Sequence, residues 1–286
     1  MKHDQRLDHC EQAYDWAYDA VLEKWPAPVD VIELESEYGR TRVNACGPAS
    51  APPLVLLPGG GATSAVWFAN VAALSERHRV YAVDVICDRG RSVASGTRVS
   101  SAPSLTAWLD TVFDGLNLAE AALCGHSYGS WIALRYALHA QSRVSKLALL
   151  DPTQCFAQFS PIFLLRAVPV MLRPSPRRTL ANLAWETSGA DLDPTWLTLM
   201  AAGSTSPRPK YVQARPAKPE ELRTLTLPVL LLLAGRTKAH NVGRVEAKAR
   251  AGISDLTVST LPEATHFTIP ALHAADVDRE LLAFLG

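Results

Sequence analysis

A short segment around Ser127 constrains the fold more than any other part of the chain. The pattern G-x-S-x-G occurs at Gly125, Ser127 and Gly129, between an apolar run at 121–124 and a segment of helical periodicity at 131–138. This arrangement predicts a serine on a sharp turn from a buried strand into a helix. Glycines suit such a turn because a side chain at either position would collide with the neighbouring strand or helix. The same pattern also occurs in purely structural turns, so its meaning depends on the rest of the chain.

Strands and helices alternate along most of the sequence. Apolar runs that predict strands lie at 53–57, 79–84, 121–124, 146–150, 228–235 and 256–261, after an edge hairpin formed by 29–37 and 40–45. Helices are predicted at 64–75, 104–116, 131–138, 242–251 and 271–285. Buried strands that alternate with helices form a mostly parallel sheet with helices on both faces, so the predicted fold class is α/β.

The alternation stops between residues 153 and 219, where prolines separate short apolar patches. We interpret 153–219 as an insertion of short helices into a core formed by 1–152 and 220–286. Residues 1–28 are expected to form an N-terminal extension whose amphipathic helix ends at Pro26. A helix packed on its own domain is favoured here over one that binds a membrane or a partner.

The composition excludes several classes of partner. The 286 residues carry 28 basic and 28 acidic side chains, so no net field favours nucleic acid or an anionic membrane surface. The five cysteines have no paired spacing, which indicates a reducing compartment. The chain begins with a polar segment and contains no run that approaches the roughly 20 apolar residues of a membrane span, so we predict a cytoplasmic protein.

A nucleophilic serine needs a base and hydrogen-bond donors for the oxyanion that it creates. His266 follows the last predicted strand and therefore lies at the same carboxyl edge of the sheet as Ser127, which makes it the candidate base. The backbone N–H of Tyr128 and a glycine loop at 59–61, with Gly60 as the best candidate, are the expected oxyanion donors.

Neither a cofactor nor a metal is predicted. The loop at 59–61 is not followed by the Lys-Ser/Thr of a P-loop and lacks the dinucleotide fingerprint. No cluster of His, Cys and carboxylates has metal-ligand spacing. We expect His126 to shape the pocket floor and Asp84 to anchor a loop. The histidines that we interpret as structural are His3, His9, His78, His139 and His273.

Taken together, these motifs resemble the α/β-hydrolase fold proteins, particularly the bacterial carboxylesterase-like members. The residues that carry the resemblance are Pro58-Gly59-Gly60-Gly61, Asp84 with Gly90-Arg91-Ser92, Gly125-His126-Ser127-Tyr128-Gly129, Leu150-Asp151-Pro152, Pro228-Val229-Leu230 and His266-Phe267. The resemblance covers the chain from about Val31 onward. It implies an eight-stranded, mostly parallel sheet, a helical cap inserted after strand six, Ser127 as nucleophile and His266 as base.

The catalytic acid departs from the family pattern. The family usually places an Asp or Glu a few residues after strand seven, but residues 235–241 contain Lys238 and no carboxylate. A lysine beside His266 would disfavour its protonated form. Asp151 is the candidate substitute, because some family members carry the acid after strand six. Asp151 is equally well explained as a helix cap ahead of Pro152. If no carboxylate contacts His266, water or a backbone carbonyl would orient the histidine.

Three functions are compatible with these residues. The leading hypothesis is a serine hydrolase that cleaves a carboxylic ester, thioester or lactone through an acyl-enzyme on Ser127. An alternative keeps the acyl-enzyme but passes the acyl group to an internal hydroxyl or amine, giving acyl transfer or cyclisation in a biosynthetic pathway. The third is a ligand-binding protein with slow or no turnover, because the expected acid is missing.

The insertion suggests the chemistry of the substrate. Its aromatic and aliphatic residues predict a small molecule with an apolar acyl or ring portion, although packing of the insertion onto the sheet would account for most of them. These residues are Phe156, Phe159, Ile162, Phe163, Leu164, Leu165, Trp185 and Trp196.

Overall fold

A sheet of nine strands runs through the part of the chain that the computed structural model describes, residues 2–25, 28–206 and 210–286, with side chains from residue 11 onward. The position of Pro26, where we expected the first helix to end, lies outside these residues. The strands are β1 (Asp30–Ser36), β2 (Gly39–Cys46), β3 (Pro53–Leu57), β4 (Arg79–Val83), β5 (Val93–Ala94), β6 (Ala121–His126), β7 (Val144–Leu150), β8 (Val229–Ala234) and β9 (Leu256–Leu261).

The order of the strands confirms the predicted mostly parallel α/β sheet. Along the sheet the order is β1-β2-β4-β3-β6-β7-β8-β9, and β5 pairs with β2. The pairs of β2 with β1, β4 and β5 are antiparallel, whereas every pair from β4 to β9 is parallel. The eight expected strands are present. The ninth, β5, has only two residues, both exposed, so it has no apolar pattern by which the sequence would predict it.

Ten α-helices accompany the sheet within the described residues. They are α1 (Lys2–Leu22), α2 (Val71–Ser75), α3 (Ala102–Gly115), α4 (Tyr128–His139), α5 (Pro161–Leu172), α6 (Pro176–Glu186), α7 (Pro194–Gly203), α8 (Pro219–Leu222), α9 (Val242–Gly252) and α10 (Ala274–Leu285). The helix expected over 64–75 is divided into a 3₁₀-helix, Ser64–Ala69, and α2. Among the described residues, no helix is long and apolar enough to span a membrane.

Two hydrophobic clusters form the core, one on each face of the sheet. Strands β6 and β8 are buried along their whole length, and their residues point alternately to the two faces. In β6, for example, Leu123 joins the cluster that contains Trp108 of α3, and Cys124 joins the cluster that contains Trp67. Each fully buried large apolar side chain stabilises the fold by about 1.5–3 kcal/mol. The parallel strands are thereby fixed with their carboxyl ends at one edge.

The prolines of the 153–219 segment begin helices. The first residues of α5, α6 and α7 are Pro161, Pro176 and Pro194, respectively. A missing N–H costs nothing at this position, because it has no acceptor within the helix. A side-chain oxygen of the preceding residue caps each helix: Ser160, Ser175 and Asp193 accept from backbone N–H groups in the first turn. Segment 153–219 therefore contains the short helices that its composition predicts.

Helix α1 packs on its own chain, against α7 and the 3₁₀-helix. Its Tyr18 is buried and donates a hydrogen bond of 2.9 Å to Asp84 Oδ2, next to the end of β4. Asp84 also accepts from the N–H groups of Ser64 and Arg91, both at 2.7 Å. The carboxylate thus ties the loop after β4 to the segment after β3.

Candidate active site

Ser127 lies on the turn between β6 and α4, with φ 54° and ψ −115°, a conformation that few residues with a side chain adopt. Its N–H donates to Leu150 O at 3.0 Å, which fixes the turn against β7. A Cβ atom on Gly125 would lie 2.3 Å from Gly129 O, and one on Gly129 would lie 2.3 Å from Leu57 O. Only glycine fits at these two positions.

Replacement of Gly129 by alanine should destabilise the protein by about 3 kcal/mol or more, because the added methyl group overlaps backbone atoms that cannot move independently. Urea unfolding measures the loss. Gly243→Ala in α9 is the matched control, since its Cβ would meet only Asn241 Oδ1 at 3.8 Å and alanine favours a helix. Equal stability of the two variants would contradict the steric explanation.

His266, in the turn after β9, lies between two of the other predicted site residues. Its Nε2 is 2.7 Å from Ser127 Oγ, and its Nδ1 is 2.6 Å from Asp151 Oδ2. Both His266 and Asp151 are buried, with exposed fractions of 2% and 0%. The structure therefore brings Ser127, His266 and Asp151 into one continuous chain of contacts.

Asp151 is held rigidly at the end of β7, with a positive φ of 39°. Its Oδ1 accepts from Ala234 N at 3.1 Å and its Oδ2 from Thr237 Oγ1 at 2.8 Å, both contributed by β8 and the loop that follows it. No helix begins at Pro152, because the next one, α5, starts at Pro161. The helix-cap explanation of Asp151 is therefore wrong, and the carboxylate faces the histidine.

A second histidine, His240, contacts the same carboxylate. His240 is buried in the loop after β8, and its Nε2 lies 3.1 Å from Asp151 Oδ1, although neither ring nitrogen has the geometry of a hydrogen bond. Burial alone would raise the pKa of Asp151, but its contacts with His240 and His266 overcome this and hold the pKa well below its usual range. Asp151 is thus ionised at neutral pH. His240 was not predicted from the sequence, although it lies in the loop after β8, the seventh of the eight expected strands and the place where the family usually has the acid.

Lys238 does not take the place of the missing acid. Its Nζ donates to Trp185 O and to Ser188 Oγ, the latter at 2.9 Å, and lies 4.9 Å from the centre of the Trp185 ring. These contacts place a positive charge at the C-terminal end of α6, where the helix dipole favours it. The lysine holds the insertion to the loop after β8.

The pKa of His266 reflects opposing effects. Burial alone would lower the pKa of the imidazole, but the hydrogen bond and charge of Asp151, with the charge of Glu186, raise it above its ordinary value. Glu186, at the end of α6, is fully buried, and its Oε2 accepts from Thr265 Oγ1 at 3.2 Å and Phe267 N at 3.3 Å. The role of Glu186 could not be predicted from the sequence, because nothing in the pattern of α6 distinguishes it from a solvated residue.

His126 supports the backbone of the other histidine. Its Nε2 lies 2.9 Å from His266 O and must donate, because a carbonyl oxygen only accepts. Burial, with a smaller effect of the neighbouring His266 charge, lowers the pKa of His126 to about 3, so the ring is neutral. The ring also lines the cavity beside Ser127, as a residue of the pocket floor would.

The two expected oxyanion donors belong to segments that meet beside Ser127. Tyr128 is the first residue of α4, so its N–H has no acceptor within the helix. A Cβ atom on Gly60 would lie 3.4 Å from Tyr128 Cβ, and one on Gly59 would lie 3.2 Å from Ser127 Cβ. The glycine loop therefore lies so close to the serine turn that even a methyl group on Gly59 or Gly60 would touch it.

A cavity of about 580 Å³ opens over Ser127 and His266. Apolar and aromatic side chains dominate its wall, and among the described residues no Lys, Arg, Asp or Glu lines it. Thr153 contributes a hydroxyl 3.3 Å from Ser127 Oγ. Of the insertion residues expected near the substrate, those that line the cavity are Phe159, Phe163, Leu164 and Trp196. Phe156 is part of the buried core, whereas Ile162 and Leu165 are largely exposed.

Metal ligands are not clustered in this chain: within the described ranges no three His, Cys, Asp or Glu side chains are arranged to hold an ion. The described cysteines, Cys46, Cys87, Cys124 and Cys155, are free. The polar side chains that line the cavity are His126, Ser127, Tyr128, Thr153, Gln154, Tyr211, Gln213 and His266.

This chain is similar to known proteins along nearly its whole length. Carboxylesterase YbfK of Bacillus subtilis is 28% identical over 281 residues, which cover 94% of this chain and 92% of YbfK. The crystal structure of that carboxylesterase, CesB (YbfK), covers 97% of this chain with a TM-score of 0.89 and 26% identity. The crystal structure of naproxen esterase (carboxylesterase NP) from the same organism covers 96% of this chain and 97% of its own, with a TM-score of 0.88 and 27% identity.

The family assignment follows from these likenesses and from a direct match. The profile of the alpha/beta hydrolase family matches residues 54–280, most of the chain, including the glycine loop, the serine turn and the histidine. The sheet order and the turn after β6 agree with the resemblance found in the sequence. The chain therefore belongs to the alpha/beta hydrolase family and is a hydrolase.

Proposed function

We propose that this hydrolase cleaves carboxylic esters through an acyl-enzyme on Ser127. The observation that carries the proposal is the buried chain of contacts from Ser127 Oγ to His266 Nε2, 2.7 Å, and from His266 Nδ1 to Asp151 Oδ2, 2.6 Å, at the base of an apolar cavity. The similarity to two carboxylesterases of Bacillus subtilis supports the same reaction class.

In this mechanism Asp151 accepts the Nδ1–H of His266, which leaves Nε2 free to accept a proton. Ser127 Oγ attacks the ester carbonyl while its proton passes to His266 Nε2. The N–H groups of Gly60 and Tyr128 bind the negative oxygen of the tetrahedral intermediate. The C–O bond to the alcohol then breaks, and His266 gives its proton to the leaving alkoxide.

The second half of the reaction repeats these steps with water. His266 removes a proton from a water molecule, whose oxygen attacks the acyl carbonyl, and Ser127 leaves with the proton returned by His266. The products are the free acid and the regenerated enzyme. Thioesters and lactones have the same reacting carbonyl and are compatible with this mechanism.

The cavity supports a neutral substrate with a bulky apolar acyl or ring portion. A volume of about 580 Å³ suits a drug-sized molecule, and a wall without charged side chains gives a charged acyl group no partner to replace its hydration. Esters of apolar carboxylic acids are therefore the proposed substrates.

The ligand-binding alternative depended on the missing acid. Asp151 lies within hydrogen-bond distance of His266, and this contact supports catalysis over that alternative. Acyl transfer and cyclisation use the same acyl-enzyme, and no contact in the cavity favours them over hydrolysis.

Labelling with a fluorophosphonate tests the proposal. Wild type should be modified once, on the peptide that contains Ser127, and should hydrolyse p-nitrophenyl esters of apolar acids. Ser254→Ala, at an exposed serine, should be labelled like wild type, whereas Ser127→Ala should not be labelled. An unlabelled wild type, or a labelled Ser127→Ala variant, would contradict the assignment. Product analysis by mass spectrometry distinguishes a released acid from a transferred acyl group.

The activity should fall on the acid side with a midpoint above pH 6.5. Catalysis requires neutral His266, and Asp151 and Glu186 together overcome the effect of burial and raise its pKa above the ordinary value. As pH falls through that raised pKa the base becomes protonated and kcat/KM declines. A profile of kcat/KM between pH 5 and 9 measures the midpoint, and a midpoint below 6.5 would contradict the proposed charge environment.

A further inference from the structure

Asp88, in the loop after β4, binds the glycine loop from outside the cavity. Its Oδ2 and Oδ1 accept from Gly61 N at 3.1 and 3.2 Å, and Oδ1 also accepts from Arg89 N at 2.7 Å. Asp88 is not among the cavity-lining residues, so it reaches the site only through the groups that it binds. Asp88 takes no part in the proton transfers of the proposed mechanism.

Tyr211 connects the same carboxylate to the cavity wall. Its hydroxyl donates to Asp88 Oδ1 at 3.0 Å, and its ring lines the cavity. The ring packs edge-on against Tyr128, with 5.2 Å between centres, and a Cβ atom on Gly60 would lie 3.6 Å from it. Asp88 therefore holds both the glycine loop and an aromatic side chain that lies against the two expected oxyanion donors.

The glycine loop needs such an anchor because it has little structure of its own. Gly61 has φ +78°, and the loop is closed by a single turn hydrogen bond, from Ala62 N to Gly59 O at 3.0 Å. Glycines have more conformational freedom to lose than other residues. The bond to Asp88 also occupies the Gly61 N–H, so this amide is unavailable to a substrate, whereas no residue of the described chain accepts from Gly60 N.

We propose that Asp88 is a positioning residue, which orients the Gly59–Gly61 loop and Tyr211 so that the Gly60 N–H points at the developing oxyanion. The inference rests on the proposed function, because it takes Gly60 and Tyr128 as the groups that bind the negative oxygen. Donors that are fixed in advance stabilise the transition state more than the ground state. Loss of the anchor therefore lowers kcat and leaves KM nearly unchanged.

Steady-state kinetics on a p-nitrophenyl ester test the inference. Loss of one oxyanion donor costs about 10²–10³ in kcat, so a loosened donor in Asp88→Ala should cost about 10- to 100-fold, with KM changed less than about threefold. Asp88→Asn keeps one acceptor oxygen and should lie between Asp88→Ala and wild type. Tyr211→Phe, which removes only the hydroxyl, should show a smaller loss in kcat. Asp255→Asn, at an exposed carboxylate, is the matched control and should behave like wild type.

Binding of a trifluoromethyl ketone distinguishes a specific loss of oxyanion binding from a general loosening of the cavity. Ser127 adds to this ketone to form a tetrahedral oxyanion, whereas the corresponding methyl ketone binds mainly in the ground state. The affinity for the trifluoromethyl ketone should fall in Asp88→Ala in parallel with kcat, and the affinity for the methyl ketone should not.

Several outcomes would overturn the inference. One is an unchanged kcat in a folded Asp88→Ala variant, and another is a loss of kcat/KM that comes from a raised KM. The third is a loss of kcat without a matching loss of affinity for the trifluoromethyl ketone. Thermal unfolding verifies the fold, and if Asp88→Ala is unfolded, Asp88→Asn and Tyr211→Phe decide by the same criteria. Failure of the proposed function is distinguishable, because wild type itself would then resist the fluorophosphonate.

Discussion

Replacement of Ser127 by alanine should lower kcat for ester hydrolysis by about 10⁶-fold, the size of effect known from removal of the nucleophile in a serine protease. The variant keeps the cavity, the histidine and the backbone donors, because alanine removes only the Oγ atom that lies 2.7 Å from His266 Nε2. Any residual rate then comes from water attack assisted by the oxyanion donors. Long incubations with a p-nitrophenyl ester measure it.

Two controls make the Ser127→Ala result specific. Calorimetric binding of an apolar carboxylic acid should be close to that of wild type, because the apolar wall is unchanged. The fold should also persist, since alanine accepts the same backbone geometry about as well as serine does. A variant that retains activity within tenfold of wild type would exclude Ser127 as the nucleophile.

Much of the fold was predictable because its central strands are buried on both faces. Strands such as β6 and β8 then form continuous apolar runs, whose limits in the sequence agree with the observed ends to within a few residues. The hydrophobic pattern gave no sign of β5, and it did not distinguish the 3₁₀-helix at Ser64–Ala69 from the α2 that follows. Short elements of this kind are determined by tertiary contacts.

The candidate site was predictable to the extent that parallel topology gathers residues at one edge. Ser127, Asp151 and His266 each follow a strand, so their approach could be expected from order along the chain. The direction in which each side chain points could not be expected from that order. Lys238 also follows a strand, yet it binds the end of α6, while His240, two residues further on, turns inward to Asp151.

Some residues contact the site from distant parts of the sequence, and no motif around them predicts the contact. Glu186 belongs to an insertion helix and binds the histidine loop, and Asp88 reaches the glycine loop 27 positions before it. Each contact joins distant segments, so it depends on the assembled fold. Both carboxyl groups nevertheless bear on the site: Glu186 helps to raise the pKa of His266, and Asp88 accepts from Gly61 N and so holds the glycine loop.

Replacement of Asp151 by asparagine should lower kcat by about 10⁴-fold. The carboxylate accepts from His266 Nδ1, Ala234 N and Thr237 Oγ1, and an amide offers only one acceptor oxygen for these three. If the amide N–H₂ group faces His266 Nδ1, the ring is held in the tautomer that carries its proton on Nε2. That nitrogen then cannot accept the proton of Ser127. Kinetics on p-nitrophenyl esters measure the loss.

The pH profile of Asp151→Asn separates loss of the charge from a general disturbance of the site. Because the hydrogen bond and charge of Asp151 are the largest effects that raise the pKa of His266, their removal leaves burial dominant, and the acid midpoint of the residual kcat/KM should move to lower pH.

Asp278→Asn is the matched control, since Asp278 is also a buried carboxylate but binds Asn70 and does not line the cavity. It should keep both rate and midpoint. An Asp151→Asn variant with wild-type kcat would remove this carboxylate from the mechanism, and a large loss of kcat with an unmoved midpoint would show that its charge does not reach the histidine.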